Sequence, residues 1–520
     1  MGLRKAAFTV SSWTLVSRIS GLIRDQMAAA VFGVSTATDA FNIAFRIPNL
    51  LRRLFAEGAF ASAFVPIISS MRAKEGDEAT GSLVDAVATV LFLALVLTCA
   101  LGIAGASWVV WAFGAGLQEY ELAVTMTRWM FPYLLLISLV ALGAGVLNSL
   151  GHFAVPAATP LFLNVGMIGA TLVAAPWFAR YGIHPIHSQS AGVLLGGALQ
   201  LGMVSWALWR VGALPRIGLT LTRVRAAWHH SGVRHVLRQM GPAVLGMSVS
   251  QVSMLINSQI ASQLPTGSVT WMFYAERLME FPTALLGVTL GTVLMPSLAA
   301  LTIAKDDVAY ARRLDWGLRL VVVLALPCSV SLLVFAVPML STLFHHGRFD
   351  ARAVQMTALA LQGYGSGLLG MIAVKVLVPG FYARGDISTP VKVAVGALVC
   401  TQLFNFVLVP HFAHAGLALA TGLGATVNAV VLAVLLNRRG LYRPTSEWWG
   451  LLTKVAVGSV LMGLWMFWLN ECVDWIGLGT RPLWRAALLG GSLAGSAAIY
   501  FGTLHALGFD WRALRDSQAS

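Results

Sequence analysis

A chain of 520 residues that is 58% hydrophobic and only 11% charged, with a mean hydropathy of +0.77, lacks the roughly 25% charge of a soluble protein. Much of its surface must face lipid, which excludes a soluble enzyme or regulator. The net charge of +14 would suit nucleic acid, but the basic residues are placed as a membrane orientation signal, so no nucleic-acid partner is expected.

Apolar runs of about 20 residues, each long enough to cross ~30 Å of hydrocarbon, recur from end to end. They fall near 8–32, 36–68, 83–114, 119–149, 156–178, 189–212, 234–263, 270–302, 314–343, 351–384, 387–410, 415–438, 449–472 and 481–507. The predicted fold class is therefore an all-α polytopic membrane protein with about fourteen transmembrane helices. The basic flank at Arg4 and Lys5 is not followed by a short apolar core with a small-residue cleavage site, so the first run is expected to be retained. Ala6 stands where myristoylation wants Ser or Thr. The 51 glycines suit close helix packing in lipid. Cys99, Cys328, Cys400 and Cys472 lie far apart in apolar runs and read as small buried hydrophobes, with no zinc or disulfide spacing.

With the N-terminus inside, loops on that side hold about nineteen Lys and Arg, whereas the opposite loops hold about four: Arg180, Arg348, Arg352 and Arg481. Both termini are expected in the cytoplasm. The stretch RIGLTLTRVRAAWHHSGVRH (216–235) becomes a basic cytoplasmic connector lying along the membrane surface. Its His229, His230 and His235 read as solvated linker residues and not as metal ligands.

Internal matches point to a duplication. FRIPN (45–49) aligns with MEFPT (279–283), and SLGHFAVP (149–156) with ARGDISTP (383–390), at one offset of 234 residues. AFVPIISS (63–70) resembles VLMPSLAA (293–300) at an offset of 230. The predicted organisation is two pseudo-symmetric six-helix lobes, 1–212 with helices 1–6 and 234–440 with helices 7–12. A basic linker, 213–233, joins them, and helices 13–14 with a cytoplasmic tail occupy 441–520. Parallel repeats of this kind suit alternating access.

Charge inside the first third is the main functional signal. Arg18, Arg24, Asp25, Asp39, Arg46, Arg52, Arg53 and Glu57 lie within or beside the first two helices. One Arg facing lipid at a helix centre costs about 2.5–3.5 kcal/mol on insertion scales, so these groups must face water, one another or a ligand. Asp39, Arg46 and Arg53 are seven apart, and so nearly eclipsed on a helix, with Glu57 one turn on; Pro48 must bend that stripe. Arg18 and Asp25 are also seven apart. Arg53 and Glu57 form an i, i+4 pair near the cytoplasmic end. Arg18, Arg24 and Arg52, where cations outnumber acids, are the candidates for holding an anion, and a guanidinium fork suits phosphate. The second repeat mixes signs, with Glu276, Arg277 and Glu280, the last in the place of Arg46; Lys375 adds another intramembrane cation. No P-loop, H-E-x-x-H or nucleophile elbow occurs, and the loops are short, so a transporter is expected and not an enzyme. Trp465, Trp468, Trp475 and Trp484 read as interfacial anchors.

VSRISGLIRD, TDAFNIAFRIPNLLRRLFAEGAFASAFVP, YAERLMEFPTALLGVTLGTVLMPSL and VKVLVPGFYARGDISTPVK closely resemble the MurJ (MviN) family of lipid II flippases, within the multidrug/oligosaccharidyl-lipid/polysaccharide exporter superfamily. The resemblance implies a bacterial inner-membrane protein that moves lipid II, the undecaprenyl-diphosphate-linked disaccharide-pentapeptide, from the cytoplasmic to the outer leaflet for cell wall synthesis. It implies a central cavity whose arginines fall on Arg18, Arg24, Arg52 and Arg277, with Asp39 and Arg46 as companions, and a groove of helices 13–14 for the polyprenyl tail. Position 46 is often Lys in relatives. Arg53, Glu57, Glu280 and Lys375 are secondary candidates. Some relatives place acids for a cation where this chain has neutral Asn257 and Asn405, so coupling to the membrane potential or to a monovalent cation stays open, with no other cofactor expected. Cell wall elongation or division machinery is an expected partner. Rival readings are an exporter of another lipid-linked oligosaccharide or of drugs on the same fold, a polyprenyl-phosphate enzyme, and a scaffold.

Overall fold

A computed structural model describes residues 3–53 and 60–511, and among them the secondary structure is helical, with no strand. The chain divides into two compact units, Met1–Gly267 and Ser268–Ser520. The first holds α1 (Leu3–Phe32), α2 (Thr36–Leu51), α3 (Ala61–Ala104), α4 (Ala106–Gly114), α5 (Tyr120–Met130), α6 (Pro132–Ser149), α7 (Ala154–Gly169), α8 (Ala175–Arg180), α9 (His187–Arg210), α10 (Leu221–His229) and α11 (Ser231–Ser262). The second holds α12 (Ser268–Pro282), α13 (Thr289–Ile303), α14 (Asp307–Val334), α15 (Ala336–Phe344), α16 (Ala351–Ser366), α17 (Leu368–Tyr382), α18 (Ser388–Arg438), α19 (Glu447–Cys472) and α20 (Pro482–Ala506).

Thirteen of the fourteen apolar runs fall mainly on described helix, the run 36–68 is described as helix on either side of 54–59, and the protein is a multi-pass membrane protein. Among the described residues eight stretches are long and apolar enough to cross a bilayer, and the pair α16–α17, bent by 41°, makes a ninth if it is one span. Two of the long helices are broken inside. Ala413, at φ +48°, divides α18 at the boundary expected between runs 387–410 and 415–438. Gly76, at φ +86°, divides α3, a conformation that a side chain would strain. Of the other helices, α2 starts with a reciprocal cap, in which Thr38 N donates to Ser35 Oγ at 3.2 Å and Ser35 N to Thr38 Oγ1 at 2.8 Å.

The aligned motifs adopt matching local structure. Pro48 lies inside α2 and Pro282 at the end of α12, and a π-helical turn follows each, at Arg52–Arg53 and at Thr283–Val288. A proline removes one helical N–H, and a wider turn lets the chain continue past the gap. Gly151 and Gly385, also aligned, sit at φ +81° and +76°. Beside Gly385, Asp386 accepts from Thr389 N in the first turn of α18 at 2.9 Å and from Arg439 at 2.6 Å. The Thr389 hydroxyl and backbone, with the Arg439 guanidinium, hold its carboxyl down at about 2. This motif therefore fastens the turn between α17 and α18.

In the second unit, α20 is pinned by Arg485, which is fully buried. Its guanidinium donates to the His345 carbonyl at 3.1 Å and lies 3.3 Å from His345 Nδ1 and 3.4 Å from His346 Nε2. Burial pushes the His345 imidazole below its ordinary value, Arg485 and His346 push the same way, and Asp350 opposes them. A neutral imidazole can accept from Arg485; a protonated one cannot, and it sets a second cation against the first. The folded state thus prefers neutral His345. Its contribution to stability is complete above the ordinary imidazole value of about 6.5 and is lost as pH falls through the depressed one. Relative to the intrinsic exchange rate, the protection of the amides in loop 345–350 should fall as pH drops below the ordinary imidazole value of about 6.5. His345→Gln, which keeps an acceptor but does not titrate, should flatten that profile.

Candidate functional site

In the first unit, several charged residues of α1 and α2 make specific bonds, some of them to other helices. Arg24 and Asp25 are buried, with Arg24 Nη2 2.7 Å and Nε 3.0 Å from Asp25 Oδ1. Arg24 Nη1 also donates to Asn164 Oδ1 of α7 at 3.0 Å. Asn164 Nδ2 in turn donates to Ser17 O at 3.0 Å and Ser20 Oγ at 2.8 Å, so one amide ties α7 to two turns of α1. Arg18, one and a half turns earlier, is exposed.

On α2, Asp39 and Arg46 are buried, and Arg53 is exposed. Asp39 Oδ2 accepts from Gly267 N at 2.6 Å. Arg46 Nη1 donates to Ser258 Oγ of α11 at 2.6 Å, and that hydroxyl donates onward to Met254 O at 2.7 Å. The stripe of spacing seven therefore turns its first two members inward. Past Pro48 the π turn shifts the periodicity and Arg53 turns out. Arg52, half-buried, donates from Nε at 3.0 Å and Nη2 at 2.7 Å to Asn49 Oδ1, which orients the guanidinium. Glu57 lies outside the described residues.

In the second unit, α12 presents Glu276, Arg277 and Glu280. Arg277 Nη1 is 3.3 Å from Glu280 Oε2, and its guanidinium carbon is 5.0 Å from the Phe273 ring centroid. Glu276 Oε1 accepts from the Tyr364 hydroxyl at 2.9 Å. Lys375 of α17 is exposed, with its stem along the π turn: a Cβ on Gly287 would meet Lys375 Cγ at 3.0 Å.

The second unit also contains an apolar cavity of about 630 Å³ between α14, α17, α18 and the start of α19. Tyr442 and Trp448 stand in its wall, both fixed by Asp315 Oδ1, which accepts from the Tyr442 hydroxyl at 2.8 Å and Trp448 Nε1 at 2.7 Å. Arg319 joins the knot, 2.6 Å from Asp315 Oδ2 and 2.8 Å from Glu447 Oε2. Burial first, then the Asp315 carboxylate, pushes the Tyr442 phenol well above its ordinary value, so it stays a donor. Among the described residues no cluster of three or more His, Cys, Asp or Glu could hold a metal ion.

Sequence reasoning missed Asn164, Ser258 and Arg485. Asn164 carried a signal, as a polar group inside the apolar run 156–178; Arg485, near the start of its run, and Ser258, a residue common in such helices, did not.

A family model described as lipid II flippase MurJ matches residues 28–481. The chain belongs to the MurJ family. A lipid II flippase MurJ of Burkholderia cenocepacia is 48% identical over 520 residues, covering 99% of each chain. A probable lipid II flippase MurJ of Vibrio cholerae is 36% identical, covering 96% of this chain and 95% of its own. Among solved structures, a MurJ in an inward closed conformation superposes with a TM-score of 0.75 at 23% identity, covering 95% of this chain and 99% of that one. An inward-facing multidrug transporter of the MATE family superposes at 0.65 with 15% identity, over 84% of this chain and 98% of that one. These likenesses show the fold. MurJ proteins are transporters, not enzymes.

Proposed function

We propose that this protein flips lipid II across the bacterial inner membrane by alternating access, supplying cell wall synthesis, with both termini in the cytoplasm. The near-full-length match to the Burkholderia flippase carries this reading. The residues supply a physical rationale. Dragging a diphosphate through hydrocarbon is prohibitive without partners, and arginines in a wet site replace its water. In this reading Arg18, Arg24 and Arg52 take the diphosphate, and Arg277 is a further candidate for contact with the substrate. Asp39 and Arg46, with their bonds to Gly267 and Ser258, hold α2 in place. The apolar cavity beside α19 takes part of the polyprenyl tail. Each negative charge exported gains about 2.3 kcal/mol per 100 mV of inside-negative potential, so the potential, or a monovalent cation gradient, can drive the cycle.

Flipping of labelled lipid II in proteoliposomes tests the assignment. Arg52→Ala and Arg277→Ala should each slow transfer at least about tenfold, equivalent to about 1.4 kcal/mol of lost interaction. Normal rates in both variants would remove the arginines from the mechanism.

A further inference from the structure

We infer that the connector between α9 and α11 is a docking surface for anionic phospholipid headgroups, whose occupancy sets the position of α11. The inference is independent of what the protein transports.

Charge is the first observation. No Asp or Glu occurs between Glu121 and Glu276, whereas Arg210, Arg216, Arg223, Arg225, Arg234 and Arg238 crowd into the stretch around α10. The inner side of the connector is fastened: Gly218 N donates to Thr89 Oγ1 at 3.0 Å, Arg216 N donates to Asp85 Oδ1 at 2.7 Å, and Ala227 is buried. These bonds leave the arginine side chains on the exposed side, together with apolar groups that water does not favour. Leu221 is 85% and Trp228 56% exposed, and Leu219 stands out beside them. On α10, Leu221, Arg225 and Trp228 follow i, i+4, i+7 spacing, so a leucine, a guanidinium and an indole share one face.

Depth is the second observation. The spanning helix α9 ends at Trp206, Trp209 and Arg210, with both indoles exposed and the Arg210 guanidinium 4.4 Å above the Trp206 ring. Arginine and tryptophan together at the end of a span mark the headgroup layer. Residues 211–220 join that end to α10, and the bonds of Arg216 N and Gly218 N to Asp85 and Thr89 hold the connector against α3. A zwitterionic layer would accept the leucines and the indole, but an anionic one also engages the arginines.

The consequence reaches the candidate site. α10 runs into α11 through His230, whose side chain caps α11 by accepting from Gly232 N at 3.2 Å. α11 carries Ser258, the acceptor of Arg46. Lipid held at α10 therefore fixes the helix that positions a buried arginine of α2.

The test uses the full chain with its four native cysteines replaced and a bimane probe on Leu221→Cys. The protein is placed in nanodiscs of phosphatidylcholine alone or of phosphatidylcholine mixed with phosphatidylglycerol. Phosphatidylglycerol should shift the emission to the blue and make it several-fold more sensitive to brominated lipid. High salt, or Arg223→Gln with Arg225→Gln, should abolish that gain. Native mass spectrometry of the same samples should show fewer retained phosphatidylglycerol molecules in the double variant. Equal spectra in the two lipids, or a gain that survives the double substitution, would overturn the inference.

Discussion

Asp25→Ala is expected to destabilise the first unit by about 3–5 kcal/mol, the range for stranding one partner of a buried ion pair. The Arg24 and Asp25 side chains are each only 8% exposed, and Asp25 Oδ1 receives both Nε and Nη2 of Arg24. Without the carboxylate, Arg24 keeps the Asn164 oxygen, a neutral acceptor that cannot balance a charge. Removing both charges with Arg24→Met and Asp25→Leu is expected to restore most of the stability, because the desolvation cost leaves with the pair. The double variant also separates structure from transport. Thermal unfolding in detergent should show it stable, while lipid II flipping should be lost if Arg24 meets the diphosphate. A double variant that is both stable and active would make Arg24 a structural residue alone.

That pair also shows what was legible. Apolar run length anticipated an all-helical chain with many spans, because the bilayer imposes one length scale on all of them. The duplicated motifs anticipated common local structure, seen in the two prolines with their π turns and in Gly151 and Gly385. The pairing of charges was less legible. Spacing seven aligned Asp25 with Arg18, but the carboxylate bonds the adjacent Arg24, whose long side chain bends back to it. The stripe of Asp39, Arg46 and Arg53 held only as far as Pro48, since a π turn rotates whatever follows. Asn164 and Ser258 became significant only through helices more than a hundred residues away. Helix periodicity describes one helix, and interhelical bonds depend on which helices pack.

Backbone-to-backbone packing of α18 on α16–α17 gives the second large prediction: Gly367→Ala should strongly destabilise the second unit. Gly367 joins α16 and α17 at their 41° bend, and a Cβ there would lie 2.1 Å from Gly422 Cα and 2.3 Å from its carbonyl oxygen. The obstruction is backbone, so no rotamer change can relieve it, and α18 would have to move away. Gly363 and Gly370 meet α18 in the same way, at 2.9 Å from Ala415 O and 2.6 Å from Thr426 Cα, so the close approach extends over two turns. Overpacking a yielding site costs typically about 1–3 kcal/mol, and this site cannot yield. The reciprocal change is milder: a Cβ on Gly422 would meet Gly367 N at 3.0 Å and Gly363 O at 3.1 Å, which a shift of a few tenths of an ångström accommodates. At Gly490 and Gly491 of α20 nothing lies within 4 Å, and alanine should be neutral or stabilising there. Thermal stability of purified variants should therefore fall in the order Gly490→Ala, Gly422→Ala, Gly367→Ala. Any other order would mean that α16–α17 and α18 do not approach at these glycines. Because Ser366, Gly370 and Thr426 also line the apolar cavity, that close approach fixes the wall against which the lipid tail is proposed to lie.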